Sequence, residues 1–244
     1  KKCWIPKDVD LDALEPEELD ELLVDMVTEM TESEGSKLYP LNQVIKQPKA
    51  ISFRQRYVNF WQCLSDKLQS SEDEFVASNE GLMMLKIICD QLISLSSMTV
   101  VNVRDAVTEA ALTMGQAAVA SSVGLRARCD SSKRQLQAEV SKLKGKPRLG
   151  VPNGPKYEAI FKQSARLNKA LVALEELAGT FFTSIFVHRF KDSNESIRAL
   201  CTRQIGDWLP LDPDCYFKDE YLKYIGWMCL DHSAAVRREA VRSV

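Results

Sequence analysis

Apolar positions recur every three or four residues along nearly the whole chain, which is the spacing of one face of an α-helix. The first such stripe consists of Leu19, Leu22, Leu23, Met26, Val27 and Met30. Glycine and proline, which interrupt helices, are sparse, with ten and nine copies in 244 residues. No segment shows a clear alternation of apolar and polar residues, which is the pattern of a half-buried strand. The pattern therefore predicts an all-α fold.

Two helices of ordinary length are predicted in the first part of the chain. Residues 53–68, FRQRYVNFWQCLSDKL, have a strongly amphipathic pattern. Residues 80–97, EGLMMLKIICDQLISLSS, are apolar enough to be a buried helix. In the first helix, the residues expected to face the core are Tyr57, Phe60, Trp61 and Leu64.

A far longer helix is predicted after these two. The pattern begins near Thr99 and meets no proline before Pro147, so one helix can exceed forty residues. The segment PRLGVPNGP at 147–155 is a turn, and a return helix follows from Lys156 to Ser184. The result is a long antiparallel helical hairpin whose outer half is polar and basic, and we expect it to project from the body.

Two segments near the end of the chain repeat each other at a distance of 39 residues. They are DSNESIRALC, which begins at Asp192, and DHSAAVRREA, which begins at Asp231. A weaker copy, MTVVNVRDAV, has Met98 in place of the aspartate. A helical period of about forty residues is typical of HEAT and armadillo repeats. The sequence thus predicts a HEAT-repeat α-solenoid into which the long hairpin is inserted.

The repeated positions have predictable roles. Asp192 and Asp231 precede helices and are expected to accept hydrogen bonds from first-turn N–H groups. Arg198 and Arg237 are expected to reach an acidic residue of the neighbouring repeat. The apolar positions expected to pack inward are Ile197 and Cys201 in one copy, and Val236 and Ala240 in the other.

Charge is unevenly distributed along the chain. The net charge is −2, but residues 1–34 carry twelve acidic residues and three lysines. Residues 122–170 instead carry twelve Lys/Arg and three acidic residues. Like charges placed together repel unless an anionic partner offsets them, so the basic block indicates that the chain binds a polyanion. We divide the chain into an N-terminal helical region (1–102), the hairpin (103–184) and a repeat region (185–244).

Catalysis is not predicted. The sequence has no P-loop, GxSxG or HExxH motif, and its two histidines are 44 positions apart. His188 has no serine or cysteine nucleophile arranged around it, so a structural role is favoured. The seven cysteines show no metal-ligand spacing and indicate free thiols in a reducing compartment. No metal or cofactor is expected, and no apolar run is long enough to cross a membrane.

The second half of the chain carries five motifs in order, and together they resemble a known domain. Residues 186–241 contain FVHRFKD, IRALC, IGDW, YLKYIGW and the Asp231 segment. This series resembles the stromalin conservative domain of the HEAT-repeat subunit of cohesin. Two departures are the proline-rich turn PLDPDCYF at 210–217 and the residues after Asp231, where the family more often has lysine. The weaker resemblance of the preceding helices extends over nearly all of the chain.

The resemblance implies partners and a location. Members of the family bind the kleisin subunit of cohesin and, through it, the ring of coiled-coil ATPases. They also bind duplex DNA and aromatic-motif peptides of cohesin regulators, and they act on chromosomes in the nucleus. No membrane partner is implied. The chain starts without Met and stops at Val244 inside a helical pattern, so we expect a longer protein that includes much of the kleisin surface.

Basic residues in two places are candidates for DNA contacts. Phosphate recognition needs only a high density of cations and gives affinity without sequence specificity. The N-terminal candidates are Lys46, Lys49, Arg54 and Arg56. The hairpin candidates are Lys133, Arg134, Lys142, Lys144 and Lys146.

Trp208 and Tyr221 are candidates for peptide contacts. Trp208 ends a helix just before Pro210, where we expect its ring to stay half exposed and to anchor an aromatic-bearing peptide. The resemblance assigns the corresponding tryptophan to such a patch. Helical spacing instead places Tyr224 and Trp227 in the core.

A second class of function is also consistent with a solenoid. A karyopherin-like transport adaptor or scaffold without DNA binding would have regular repeats and acidic concave surfaces, without a basic hairpin. The ordered motifs of 186–241 weigh against this alternative.

Overall fold

A computed structural model of the chain describes residues 15, 17–18, 20–22, 24–26, 52–70, 78–142 and 155–244. The described part is helical and contains no strand. Its helices, in chain order, are α1 (Phe53–Ser70), α2 (Asn79–Ser96), α3 (Val101–Lys142), α4 (Pro155–Phe181), α5 (Val187–Arg189), α6 (Glu195–Trp208), α7 (Pro213–Tyr216), α8 (Asp219–Met228) and α9 (Ala234–Arg242). The described residues between 17 and 26 are also helical, and the carboxylate of Asp20 accepts a hydrogen bond from Thr99 N at 3.0 Å. The all-α prediction is confirmed.

Helices α3 and α4 form the long antiparallel hairpin. Helix α3 has 42 residues and α4 has 27, in agreement with the lengths expected from the positions of proline. Two ion pairs join the helices across the hairpin. Arg126 Nη2 lies 2.7 Å from Glu175 Oε1, and Lys156 Nζ lies 3.0 Å from Glu139 Oε1.

The core surrounds the first half of α3. Between Val107 and Val119 nearly every side chain of this helix is buried, because α1, α2, α4 and α6 pack around it. The small residues Ala110, Ala111 and Ala118 let these neighbours approach closely, while Leu112 and Met114 fill the space between them. The base of the hairpin is therefore part of the body.

Aromatic rings join the hairpin to the repeats. Helix α4 continues through a π-helical turn, Phe182–Phe186, into α5. Phe182, Phe186 and Phe190 recur at i+4 and stack on one another. Tyr224 of α8 meets all three rings edge-on at 4.8–5.6 Å. Tyr224 is buried, as predicted.

An arginine–aspartate ladder links successive repeats. Arg104 donates from Nε and Nη2 to the two carboxylate oxygens of Asp192 at 3.1 and 3.2 Å. Arg198 makes the same two bonds to Asp231 at 2.8 and 2.9 Å. Each arginine also donates from Nη1 to two carbonyls at the start of its own repeat, and Arg237 repeats this last contact with Asp231 O and His232 O. The expectation that Arg198 reaches the neighbouring repeat is confirmed.

The two aspartates do not cap their helices as predicted. The N-caps are Asn194 and Ser233, whose side chains accept from Ser196 N and Ala235 N. Asp192 and Asp231 lie two residues earlier and accept from the N–H groups of those caps instead. This position leaves each carboxylate within reach of the arginine of the preceding repeat.

The ladder shifts the pKa of both aspartates. Arg198 donates hydrogen bonds that hold the pKa of Asp231 below its usual value. Burial opposes ionisation of Asp192, but the bonds from Arg104 and the Asn194 N–H outweigh it, so that its pKa is also lowered. Ile197, Cys201, Val236 and Ala240 are fully buried beneath the ladder, as predicted.

The expectation that no apolar run is long enough to cross a membrane needs a correction, because one described helical stretch, Pro155–Arg189, is long and apolar enough by length and composition alone. Its apolar side chains are used within the protein. Leu167, Leu174, Phe181 and Ile185 are at most 2% exposed, so the stretch has the character of a core helix.

Candidate functional site

The two described basic candidates of the N-terminal group, Arg54 and Arg56, lie on different sides of α1. Arg54 faces inward, where its guanidinium forms an ion pair with Asp105 and lies 3.3 Å from Glu109 Oε2. Arg56 is two residues further along the helix and is exposed. Lys46 and Lys49 lie outside the described residues. Of this group, the structure therefore presents one described cation, Arg56, to a solvent-borne partner.

The acidic residues that hold Arg54 belong to the core of the hairpin base. Asp105 and Glu109 lie one turn apart on α3 and are both buried. Burial raises the pKa of Glu109, while Arg54 and Arg203 oppose that rise. Sequence reasoning missed this pairing because the two acids and the arginine come from different helices.

The hairpin candidates lie on the outer half of α3. Lys133 is 57% exposed, with Nζ 3.8 Å from Asp130 Oδ1, and Arg134 is also exposed. Lys142 is the last residue of α3. Lys144 and Lys146 lie outside the described residues.

The return helix adds cations that the sequence reasoning did not single out. Lys156 and Lys162 of α4 are exposed, and Lys156 pairs with Glu139 across the hairpin. Both lie within the basic block 122–170, which was the signal that could have identified them. The outer half of the hairpin thus presents basic side chains from both of its helices. We call the described residues 126–142 and 155–166 the outer hairpin.

Trp208 is buried, so the expectation of a half-exposed ring is wrong. It is 1% exposed and meets Tyr216 edge-on at 5.5 Å. The chain turns back directly after α6, since Leu211 N and Asp212 N both donate to Trp208 O. This turn brings Tyr216 over the ring, while Gly115 of α3 leaves room beneath it. Trp208 fastens the repeat region to the hairpin base.

Trp227 is the exposed tryptophan of the repeat region, which corrects its assignment to the core. It is 50% exposed and stacks on Phe190 at 6.2 Å, with 23° between the ring planes. The ammonium groups of Lys191 and Lys223 each lie 5.9 Å from the centre of its ring. The buried face of α8 is formed by Tyr224, Ile225 and Met228, and Trp227 falls on its edge. We call Trp227, Phe190, Lys191 and Lys223 the tryptophan patch.

Tyr221 lies between the two tryptophans. It is half-buried and meets Phe182 at 4.8 Å and Tyr216 at 4.9 Å, both edge-on. Burial raises the pKa of its hydroxyl. Tyr221 therefore supports the aromatic layer beneath α8, and only part of its surface is open to a ligand.

A ligand set for a metal is absent from the described residues, where no group of three or more His, Cys, Asp or Glu side chains converges. His188 is exposed on α5.

Profiles of two protein domains match the chain. The stromalin conservative domain matches residues 191–244, and the STAG domain matches residues 37–150. The first match coincides with the repeat region that carries the ladder. The second covers α1, α2 and α3.

Individual relatives are cohesin subunits. Cohesin subunit SA-1 of Xenopus laevis is 28% identical over 226 residues, which cover 92% of this chain and 16% of that protein. Cohesin subunit scc-3 of Caenorhabditis elegans is 30% identical over 141 residues, which cover 58% of this chain and 12% of that protein. The chain thus spans a small part of the length of these relatives.

A solved structure shares the fold. The cohesin subunit Scc3 of Z. rouxii, residues 88–1035, superposes with a TM-score of 0.75 at 20% identity, over 94% of this chain and 25% of that one. At this identity the likeness establishes the helical architecture alone.

Proposed function

This chain belongs to the stromalin family, and from that premise we propose that it is a non-enzymatic part of a cohesin subunit that holds duplex DNA on its outer hairpin. The relatives named as cohesin subunits, and one named sister-chromatid cohesion protein 3, support a role in sister chromatid cohesion on nuclear chromosomes. The observation that carries DNA binding is the exposure of Lys133, Arg134 and Lys162 on the two helices of the outer hairpin.

Phosphate binding fits this surface better than the described part of the N-terminal cluster. Arg54 is already neutralised by Asp105 and Glu109, so its charge does not add to the outward field. In the outer hairpin Lys133, Arg134 and Lys162 are exposed, and the acid beside Lys133, Asp130, is itself 53% exposed. Cations along an extended rod can follow a phosphate backbone without reading bases, which makes the binding independent of sequence.

A salt series with a fluorescent DNA duplex tests this proposal. Reversing three charges, in Lys133→Glu/Arg134→Glu/Lys162→Glu, is expected to lower affinity and to reduce the slope of log K against log salt by roughly 0.9 per lost phosphate contact. Arg56→Glu on α1 and Lys86→Glu on α2 are the control variants. An unchanged slope in the triple variant, with loss of binding in Arg56→Glu, would move the DNA site to α1.

The tryptophan patch is our proposed docking site for aromatic-bearing peptides of cohesin regulators. A half-exposed tryptophan held from below by Phe190 can bury a partner's aromatic side chain at little entropic cost. Lys191 and Lys223 beside the ring favour a peptide that also carries acidic residues. This location replaces Trp208 as the anchor, and Tyr221 contributes through the rings beneath α8.

Calorimetry with an acidic peptide that contains one Tyr or Phe tests the patch. Trp227→Ala is expected to weaken binding about tenfold or more, because truncation of a central aromatic anchor typically costs that much. Phe217→Ala is the matched control, since Phe217 is 66% exposed and belongs to the turn after α7. Equal effects of the two substitutions would contradict a specific patch.

Docking of kleisin, and through it of the coiled-coil ATPase ring, is the remaining part of the proposed function. It rests on the family alone, since no described surface has a feature that selects kleisin. Co-purification of this chain with kleisin fragments tests it, and failure of every fragment to bind would place the kleisin surface in other parts of the subunit.

A further inference from the structure

Helix α1 has a second apolar face that neither proposed site uses. Its inner face is fixed to α3, because Tyr57 Oη donates to Ala106 O at 3.1 Å and Arg54 pairs with Asp105. Phe60 was expected on that inner face, yet its ring is 58% exposed. Phe53, two turns earlier, is 47% exposed. The helix is thus anchored on one side while it shows two large apolar rings on another.

The exposed residues form a regular stripe. Its members are Phe53, Arg56, Phe60, Cys63 and Lys67, and all of them are exposed. Their spacing alternates three and four residues, which keeps them on one side of the helix for four turns. The same spacing defines the seam along which one helix packs against another in a coiled coil. We call these five residues the outer stripe.

The outer stripe is held in a fixed shape. Phe60 meets Trp61 edge-on at 5.5 Å, and Trp61 in turn meets Tyr57 at 6.1 Å. Ser65 is fully buried and donates to Trp61 O at 2.7 Å. A partner would therefore find the ring of Phe60 already ordered, which reduces the entropy lost on binding.

Charge within the stripe selects the kind of partner. Arg56 and Lys67 are exposed on either side of Phe60. Asp66 is the one acidic residue of α1, and helical spacing sets it beside the stripe, about 60° around the helix from Cys63 and about 100° from Lys67. The five stripe residues themselves carry two positive charges and no negative charge, which fits a helix with apolar residues at the same spacing and acidic residues beside them.

We propose that the outer stripe of α1 docks an acidic amphipathic helix of a partner protein, packed side by side with α1. Phe53 and Phe60 pack into the apolar seam of the partner helix, and Arg56 and Lys67 form ion pairs with the carboxylates of that helix. Duplex DNA is a poorer fit, because phosphate contacts use the cations and leave the two rings in water. This inference does not depend on the proposed DNA or peptide sites.

Alkylation of Cys63 reports directly on the stripe, since this thiol lies within it and is exposed. The probe is a synthetic helical peptide with leucine at alternating three and four spacing and glutamate at the flanking positions. Added peptide is expected to slow maleimide labelling of Cys63, measured by mass spectrometry on the whole chain. Phe60→Ala is expected to abolish most of that protection, while Gln62→Ala, which changes an exposed residue off the stripe, leaves it intact.

Other outcomes overturn the proposal. Absence of protection by the acidic peptide would contradict it, as would equal protection by a peptide with lysine in place of glutamate. Protection by duplex DNA and not by the peptide would make the stripe part of a DNA site. Slow labelling without any peptide, relieved when residues 1–34 are removed, would show that the chain covers its own stripe. The control is the melting curve of Phe60→Ala, which should match that of the wild type and so show that the variant is folded.

Discussion

The two halves of the long hairpin are built from the same two helices but differ in what surrounds them. At the base, Ala110, Leu112 and Met114 of α3 are at most 1% exposed because four other helices pack around them. In the outer hairpin, no residue of 133–141 in α3 and none of 155–166 in α4 is buried. The base is a core, whereas the outer half is a two-helix rod with little to bury.

This difference separates stability from binding. Substitutions at the base should change the free energy of unfolding, since tightly packed side chains cannot be replaced without cavities or strain. Substitutions in the outer hairpin should change binding and leave stability nearly untouched.

Trp208→Ala should destabilise the chain the most, by about 3–5 kcal/mol, because a fully buried ring is removed from the contact between α6 and the hairpin base. Chemical denaturation followed by circular dichroism measures the loss. Trp227→Ala is the matched control, with an expected cost under about 1 kcal/mol since half of this ring is already in water. A smaller loss for Trp208→Ala than for Trp227→Ala would contradict their assigned roles.

Asp231→Asn should cost about 1.5–3 kcal/mol, the usual contribution of a hydrogen bond to a charged group, because it breaks the paired bonds from Arg198. Denaturation at pH 7 measures this loss. Glu195→Gln, at an exposed position early in α6, is the control. Equal stability of the two variants would show that the ladder adds nothing.

Acid should weaken the same ladder. Because the folded pKa values of Asp192 and Asp231 are lowered, the stability they add is complete above the unfolded value of about 3.9 and is lost as pH falls through the folded values. Melting temperatures between pH 3 and pH 6 measure this dependence. The melting temperature of Asp231→Asn should fall less steeply with decreasing pH than that of the wild type. Parallel curves for the two proteins would contradict the assignment.

Gly115→Ala should destabilise by about 1–3 kcal/mol, since its new Cβ would lie 2.7 Å from Cζ2 of Trp208. Gly124→Ala lies further along the same helix, where a Cβ meets nothing within 4 Å. That control should stabilise the helix by about 0.5–1 kcal/mol. Thermal melts of the two variants in parallel compare a crowded and an open position of the same helix, and shifts of the same sign would refute the contrast.

Lys133→Glu/Arg134→Glu should have the smallest effect on stability, within about 0.5 kcal/mol, while it weakens DNA binding. Denaturation and DNA titration on one preparation measure both quantities. A large loss of stability would mean that the outer hairpin carries structural contacts beyond those described.

Much of the architecture could be predicted from the sequence because periodicity and proline report on local structure. The positions of Pro147 and Pro155 bounded α3 and α4, and the 39-residue repeat located the Arg198–Asp231 link. The caps were missed by two residues because Asn194 and Ser233 are equally good N-cap residues.

The environment of individual side chains was not predictable to the same degree. Trp208 and Trp227 both lie near the end of a segment with apolar residues at helical spacing. Trp208 is buried because the turn after α6 folds back and places Tyr216 against its ring, which the sequence pattern does not show. Arg54 and Arg56 look equivalent in sequence, but two residues on a helix differ by about 200° in direction. That rotation puts one against Asp105 and the other in water.

Hydrogen exchange of the chain, with and without duplex DNA, tests the central claim most directly. We predict that DNA slows exchange within 126–142 and 155–166 and leaves the already protected base of α3 unchanged. Slowed exchange confined to α1, with none in the outer hairpin, would contradict the assignment of the outer half as the DNA-binding surface.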